Sequence, residues 1–298
     1  MSSPLSEGNR KIEVDRGGGS VVGICFTSRK ATMNGIGLSA TSLHCPVVEY
    51  IDASAKAGFD GIGLRLFESP GLNYRGWDPV IGDSAVMREV KRSLKDTGLI
   101  VYDILSYYLQ PEMDIDSMRP SLEFGAELGA TWALVIGDDP DWNRQRDNFG
   151  KLCDVAAEVG LTMAIEAPVN SRQLNTLPKI VQLIEECGRQ NAVTCIDPMQ
   201  FMRAGHFAPM IKALDPRLFP YTQLSDTKDF DRAPFCALGE GIVPLYQILD
   251  ALPPSIPLLL EYHHRDDRLS TLGWAKHAMD TTRKFMVDYY AAKQSGVG

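Results

Sequence analysis

The chain has 298 residues, 44% of them hydrophobic and 23% charged, ordinary globular values, and no run approaches the roughly 20 apolar residues of a membrane-spanning helix. A formal charge of −8 and a pI of about 5.2 argue against a polyanionic partner, because nucleic-acid affinity comes largely from lysine and arginine neutralising phosphates. The six cysteines (Cys25, Cys45, Cys153, Cys187, Cys195, Cys236) stand singly with no CxxC pair, a pattern that suits reduced thiols in a cytosolic protein better than a disulfide framework or a zinc-thiolate site. The polar stretch from Met1 to Gly8 lacks the apolar core of a secretory signal. The expectation is a soluble cytoplasmic protein with no nucleic-acid and no membrane partner.

Residues 1–33 read as an N-terminal extension: charged residues, the run Gly17-Gly18-Gly19 and one apolar patch around Val21 to Phe26. From residue 34 to 298 a single domain is expected, carried by a repeating rhythm. Gly35 to Leu38 reads as a strand and Val47 to Ala57 as a helix stopped by Gly58, a common C-terminal signal. Gly61 to Leu66 is the second strand. A long loop through Pro70 and Trp77 leads to a helix over Ser84–Thr97, ended by Gly98.

The third unit pairs Ile100 to Leu105 with a helix from Asp116 to Leu128, and the fourth pairs Thr131 to Ile136 with a helix from Asp141 to Val159. The fifth strand is the apolar run Leu161 to Pro168, followed by a helix over Leu177–Cys187. Ala192 to Asp197 and helical pieces between Met199 and Leu214 form the sixth unit. Phe219 to Ser225 with Pro244 to Leu252 form the seventh, and Ile256 to Glu261 with Thr271 to Ala292 the eighth. Eight strand-helix units with glycine-ended helices are the pattern of an α/β protein of the (β/α)8 TIM-barrel class. The runner-up, an open doubly wound sheet, lacks its glycine-rich dinucleotide turn after the first strand.

Barrel chemistry sits at the C-terminal ends of the strands. Strand five ends in Glu166, strand six in Asp197 and strand eight in Glu261, while strand seven carries Gln223 two residues before Ser225. Three converging carboxylates repel unless something positive sits among them. Oxygen donors that include a neutral amide suit a divalent metal, Mn²⁺ or Mg²⁺, with Co²⁺ a third candidate. The plainer alternative is that some of these acids pair with Arg65, Arg203 or Arg265 at the rim.

The sequence resembles the xylose-isomerase-like TIM barrels, the sugar phosphate isomerase/epimerase superfamily. Ala164-Ile165-Glu166-Ala167-Pro168-Val169-Asn170 resembles that family's Glu-x-x-x-Asn strand five. Ile196-Asp197-Pro198-Met199-Gln200 with Arg203-Ala204-Gly205 resembles its Asp-x-x-His segment, and Thr222-Gln223-Leu224-Ser225-Asp226 its strand seven. Leu238-Gly239-Glu240-Gly241 and Leu260-Glu261 match its Gly-x-Gly turn and final acid. The resemblance implies Glu166, Asp197, Gln223 and Glu261 as metal ligands.

Two positions depart from the pattern. Gln223 and Gln200 stand where the family commonly has histidine. Glutamine at the third ligand also occurs in the inosose and 3-dehydroshikimate dehydratases of the superfamily, whereas the loss of histidine at Gln200 removes a candidate acid or base of those enzymes.

What the resemblance implies is a metal-dependent isomerase or epimerase acting on a keto sugar, cyclitol or related polyhydroxy carbonyl compound. Glu166 and Glu261 would exchange a proton with carbon. Loss of a β-hydroxyl from the same enediolate would make a dehydratase instead, and a non-catalytic barrel is a further alternative. A DNA-repair role is disfavoured by the acidic charge and five histidines.

His263, two residues beyond Glu261, faces the same side of a strand and is a further catalytic candidate or a solvated rim histidine. Arg65, Gln200, Arg203, His206 and Arg265 are candidates for substrate contact; His206 is equally a helix cap, and a salt bridge to Glu68 is the alternative for Arg65. His264 points elsewhere on the strand. Tyr107, Tyr108, Trp77 and Trp142 are read as loop aromatics that wall a substrate or simply pack. Asp138 and Asp139 offer a second metal site, with an N-cap as the better reading. No glycine-rich phosphate cradle is evident, so a phosphorylated substrate is not supported. Homo-oligomers are frequent among such barrels, and residues 1–33 could join an interface.

Overall fold

The computed structural model describes residues 35–68, 79–263 and 268–295. The expected N-terminal extension with Cys25, the loop through Pro70 and Trp77, His264 and Arg265 lie outside the described residues. The first half of the rhythm is β1 (Ile36–Leu38), α1 (Val47–Ala57), β2 (Gly61–Arg65), α2 (Ser84–Thr97), β3 (Ile100–Leu109), α3 (Arg119–Glu127), β4 (Trp132–Gly137) and α4 (Trp142–Glu158). The second half is β5 (Thr162–Glu166), α5 (Leu177–Cys187), β6 (Ala192–Thr194), α6 (Pro198–Arg203), α7 (Pro209–Lys212), β7 (Thr222–Leu224), α8 (Leu245–Ala251), β8 (Leu258–Leu260) and α9 (Thr271–Ser295).

The strands are parallel and lie in the order β6-β5-β4-β3-β2-β1-β8-β7. The two ends of that order meet through one parallel bridge, Ile196 with Thr222. The Ile196 carbonyl there accepts the Thr222 hydroxyl at 2.5 Å and the Gln223 N–H at 3.0 Å. The fold is the (β/α)8 barrel that the alternation predicts, closed by a narrow seam.

Local chemistry sets the element boundaries. α2 begins where the Asp83 carboxylate accepts the N–H groups of Ala85 and Val86, at 2.8 and 3.1 Å, and stops where Gly98 turns left-handed at φ 70°. α5 buries Leu177, Ile180, Leu183, Ile184 and Cys187, one face at helical spacing. Each large aliphatic of that set contributes roughly 1.5–3 kcal/mol.

Glycines hollow the interior of the first two strands. A Cβ on Gly61 would meet the Tyr102 ring at 2.5 Å, and one on Gly63 would meet Asp103 Oδ1 at 2.3 Å. The inner core is thereby filled from β3 and its neighbours: Tyr102, Leu105, Leu134, Ala164, Cys195, Tyr221 and Leu259 are all buried there. Trp132 stacks on Tyr221 with centroids 4.6 Å apart, which leaves the packed interior closed.

The strands differ from the sequence expectation in two ways. β3 runs on to Leu109 past a register irregularity after Ile104, so Tyr107 and Tyr108 belong to the strand and not to a loop. Strands β6 to β8 contract to three residues each; Pro257 directly precedes β8 and Pro220 stands two residues before β7, and neither donates a ladder hydrogen bond. Among the described residues no helix is long and apolar enough to cross a membrane, and Cys45, Cys153, Cys187, Cys195 and Cys236 are buried free thiols.

Candidate active site

Glu166 is the last residue of β5, 8% exposed, and Ala167-Pro168 ends the strand there because a residue before proline resists helical geometry. Among the described residues its carboxylate has no hydrogen-bond partner. Asp197 follows β6 and caps α6 ahead of Pro198. Its Oδ1 accepts the Gln200 N–H at 3.1 Å and a very short bond from the Ser225 hydroxyl. Both donors meet the same oxygen, so Oδ2 carries neither.

Gln223 lies in the middle of β7, 1% exposed, with neither its amide nitrogen nor its amide oxygen hydrogen-bonded. An unsatisfied buried polar group costs on the order of 1–3 kcal/mol. Glu261 follows β8; its Oε1 accepts the Thr41 hydroxyl at 3.1 Å and stands 3.1 Å from Nε2 of His263. The His263 ring packs on Phe235 at 4.3 Å between centroids.

The acids are electrostatically linked. Burial, then the charges of Asp197, Glu261 and Asp103, pushes the Glu166 carboxyl well above the usual range. Burial and Glu261 raise Asp197 to about 7 against the pull of Ser225 and two backbone amides. Asp103, wholly buried inside the barrel, is raised to about 7 by burial and Glu261, although Tyr221 donates to its Oδ2 at 3.1 Å. Glu166, Asp197 and Glu261, with the orphaned amide of Gln223, are oxygen donors of the kind a divalent cation takes. Among the described residues no group of three or more His, Cys, Asp or Glu side chains is placed to hold a metal ion.

The other sequence candidates divide. Arg65 ends β2 and is 5% exposed, close enough to act on the Tyr50 hydroxyl. Gln200 Oε1 accepts the Val169 N–H and an Arg203 N–H, both at 3.3 Å, and Arg203 Nε donates to the Phe230 carbonyl at 3.0 Å. These two residues therefore brace the segments after β5, β6 and β7 together. His206 Nε2 accepts the N–H of Leu177 at 3.0 Å, which makes it a cap for α5. It also lines a cavity of about 20 Å³ behind Glu166 and Asp197.

Trp142 is the first residue of α4 and donates to Glu186 at 2.7 Å, away from any loop role. The cap of α4 is Asp141, whose Oδ1 accepts the Arg144 N–H at 2.8 Å, while Asp139 is gripped at both oxygens by the Arg144 guanidinium. Asp226, one residue past Ser225, has an unforeseen role. Its two oxygens accept the N–H groups of Thr227, Gly239, Gly241 and Val243 at 2.8–3.2 Å, which folds the loop after β7 around it.

Thr41, Ser225 and Asp103 are site residues that sequence reasoning did not single out. Thr41 lies just beyond β1, where the strand-end question asked of strands five to eight would have found it.

A family model described as xylose isomerase-like TIM barrel matches residues 51–285. No curated protein matches the sequence. Among solved structures, the chain is similar to a xylose isomerase-like TIM barrel/4-hydroxyphenylpyruvate dioxygenase fusion protein, with a TM-score of 0.73 and 18% identity over 89% of this chain. It spans only 45% of that fusion's length. It is also similar to an IOLI protein with a bound zinc atom, with a TM-score of 0.69 and 18% identity over 87% of this chain and 98% of that one. A D-allulose 3-epimerase from Methylomonas sp. in complex with D-allulose gives a TM-score of 0.65 and 17% identity over 87% and 98%. At these identities the likeness is one of fold.

Proposed function

The chain belongs to the xylose isomerase-like TIM barrel family, and from that premise we propose that it is a divalent-metal-dependent isomerase or epimerase of a keto sugar, cyclitol or related polyhydroxy carbonyl compound. The observation that carries this reading is that, among the described residues, Glu166 is buried without a hydrogen-bond donor and the buried amide of Gln223 is without a partner. Glu166, Asp197, Gln223 and Glu261 would hold Mn²⁺ or Mg²⁺, and the bound ion would supply polarisation of the substrate carbonyl. That one of the similar structures carries zinc supports a divalent cation here.

The protein groups divide the proton work. Glu166, committed to no other donor and raised in basicity by burial and neighbouring charge, takes the proton from the carbon beside the carbonyl. The C–H electron pair passes into an enediolate. Glu261, oriented by Thr41 and 3.1 Å from His263, returns a proton to the neighbouring carbon in isomerisation or to the opposite face in epimerisation. A dehydratase would need an acid for a departing hydroxyl. Gln200 has no proton to lose and is tied to Val169 and Arg203, so this observation favours the reading without water loss.

Metal-loaded protein incubated with ketoses and cyclic keto-polyols in D₂O is expected to place deuterium at carbon without water loss. Glu166→Gln should slow this by about 10²–10⁴-fold. An enone absorbance would transfer the assignment to a lyase. Neither signal with any divalent metal, together with no metal retained after mild purification, would leave a non-catalytic barrel.

A further inference from the structure

A second cavity lies at the C-terminal ends of β3 and β4, beside the segment that follows β5. The registers place Tyr108 of β3 beside Ile136 of β4, and Ile136 beside Glu166 of β5. Parallel neighbours in register project to the same face, so these three side chains share one level. One step further along, Leu109 pairs with Gly137, and the Asp138 N–H donates to the Leu109 carbonyl at 3.0 Å. Over this step lies a cavity of about 230 Å³, lined among others by Tyr108, Ile136, Asp138, Pro168 and Asn170.

The lining mixes apolar wall with hydrogen-bonding rim. Pro168, Ile136 and the face of Tyr108 supply the wall. The Asp138 carboxylate and the exposed Asn170 amide supply acceptors and donors. The Ser171 hydroxyl is committed to the Gly137 carbonyl and fixes the cavity's edge. None of the lining residues is basic. Arg172, the cation nearest Asp138 among the ion pairs at 3.7 Å, is 61% exposed and stands outside the lining.

We propose that this cavity binds the unreacting remainder of the substrate, an uncharged chain or ring of hydroxyl-bearing carbons, with Asp138 and Asn170 as its specificity-determining residues. This rests on the isomerase reading above. Hydroxyl groups donate to Asp138 and both donate to and accept from Asn170, while their carbon faces lie on Pro168 and Ile136. A phosphate or carboxylate at the same place faces the Asp138 carboxylate with no basic residue in the lining, Arg172 pairing with Asp138 from outside it.

Alditols test the cavity apart from the reaction, since they have no carbonyl to react. Calorimetry on the metal-loaded full chain should show affinity rising from glycerol through a tetritol and a pentitol to a hexitol. Asn170→Ala and Asp138→Asn should each weaken the hexitol by about tenfold and leave glycerol unchanged. With a turned-over substrate the same variants should raise KM by a similar factor and hold kcat within about twofold. Equal affinity at every chain length, indifference to both substitutions, or tighter binding of a hexitol phosphate overturns the proposal. Chain-length-dependent binding without deuterium exchange keeps the cavity and discards the reaction; exchange with unchanged KM in both variants does the reverse.

Discussion

Asp226 and Glu166 are both buried carboxylates near the ends of barrel strands, 1% and 8% exposed, and they are held in opposite ways. Asp226 receives four backbone N–H groups from the loop it organises. Burial pushes its carboxyl upward and those four amides pull it back. Among the described residues Glu166 receives no hydrogen bond, and its surroundings add like charges to the burial. A buried acid with complete hydrogen bonding is part of the architecture, whereas one left incomplete beside other acids is arranged for something that arrives later.

The largest test of that contrast is Asp226→Ala. Four N–H groups lose their acceptor at once, and unfolding by urea should show a loss of about 3–5 kcal/mol. A loss below about 1 kcal/mol would erase the distinction.

A middle-sized effect concerns pH. Asp103 and Asp197 are each raised to about 7 when folded, so between about pH 4 and 7 the native chain binds more protons than the unfolded chain. Their stabilising contribution is complete below the unfolded pKa and is lost as pH rises through the folded one. Chelator-treated protein should therefore lose stability across that window. Asp103→Asn, which keeps a partner for Tyr221, should flatten the slope by up to about 1.4 kcal/mol per pH unit. An unchanged slope would show that Asp103 titrates normally.

The smallest effect is at Gln223. Gln223→Met preserves the volume and removes an unpaired amide, so metal-free protein should gain about 1 kcal/mol in denaturant while elemental analysis finds less bound metal. A gain in stability with metal retention intact would remove Gln223 from the ligand set.

Much of the fold was legible because its signals are local. α1, α2 and α5 end where Gly58, Gly98 and Gly188 turn left-handed, as the glycines indicate. Glu166, Asp197, Gln223 and Glu261 were legible as acids and an amide at or near the ends of apolar runs. Asp103 was hidden because it sits inside the apolar run Ile100 to Leu109. Its room comes from Gly63 on another strand, a distant and missing side chain. The role of Asp226 was hidden for a related reason, since three of its donors lie thirteen to seventeen residues ahead. Gln200, Arg203 and His206 looked like substrate contacts because exposed polar groups after barrel strands often are; only coordinates reveal that backbone groups already occupy them.

The single bridge between Ile196 and Thr222 has a mechanical consequence. Asp197 and Gln223 each lie one residue beyond it, on opposite sides of the least-paired joint in the wall. A cation gripping both would act as a clasp, and its occupancy and the closure of the cylinder would become one equilibrium. In the loaded protein the Gln223 amide proton would then exchange with solvent only when the whole molecule unfolds, and no longer whenever the joint breathes.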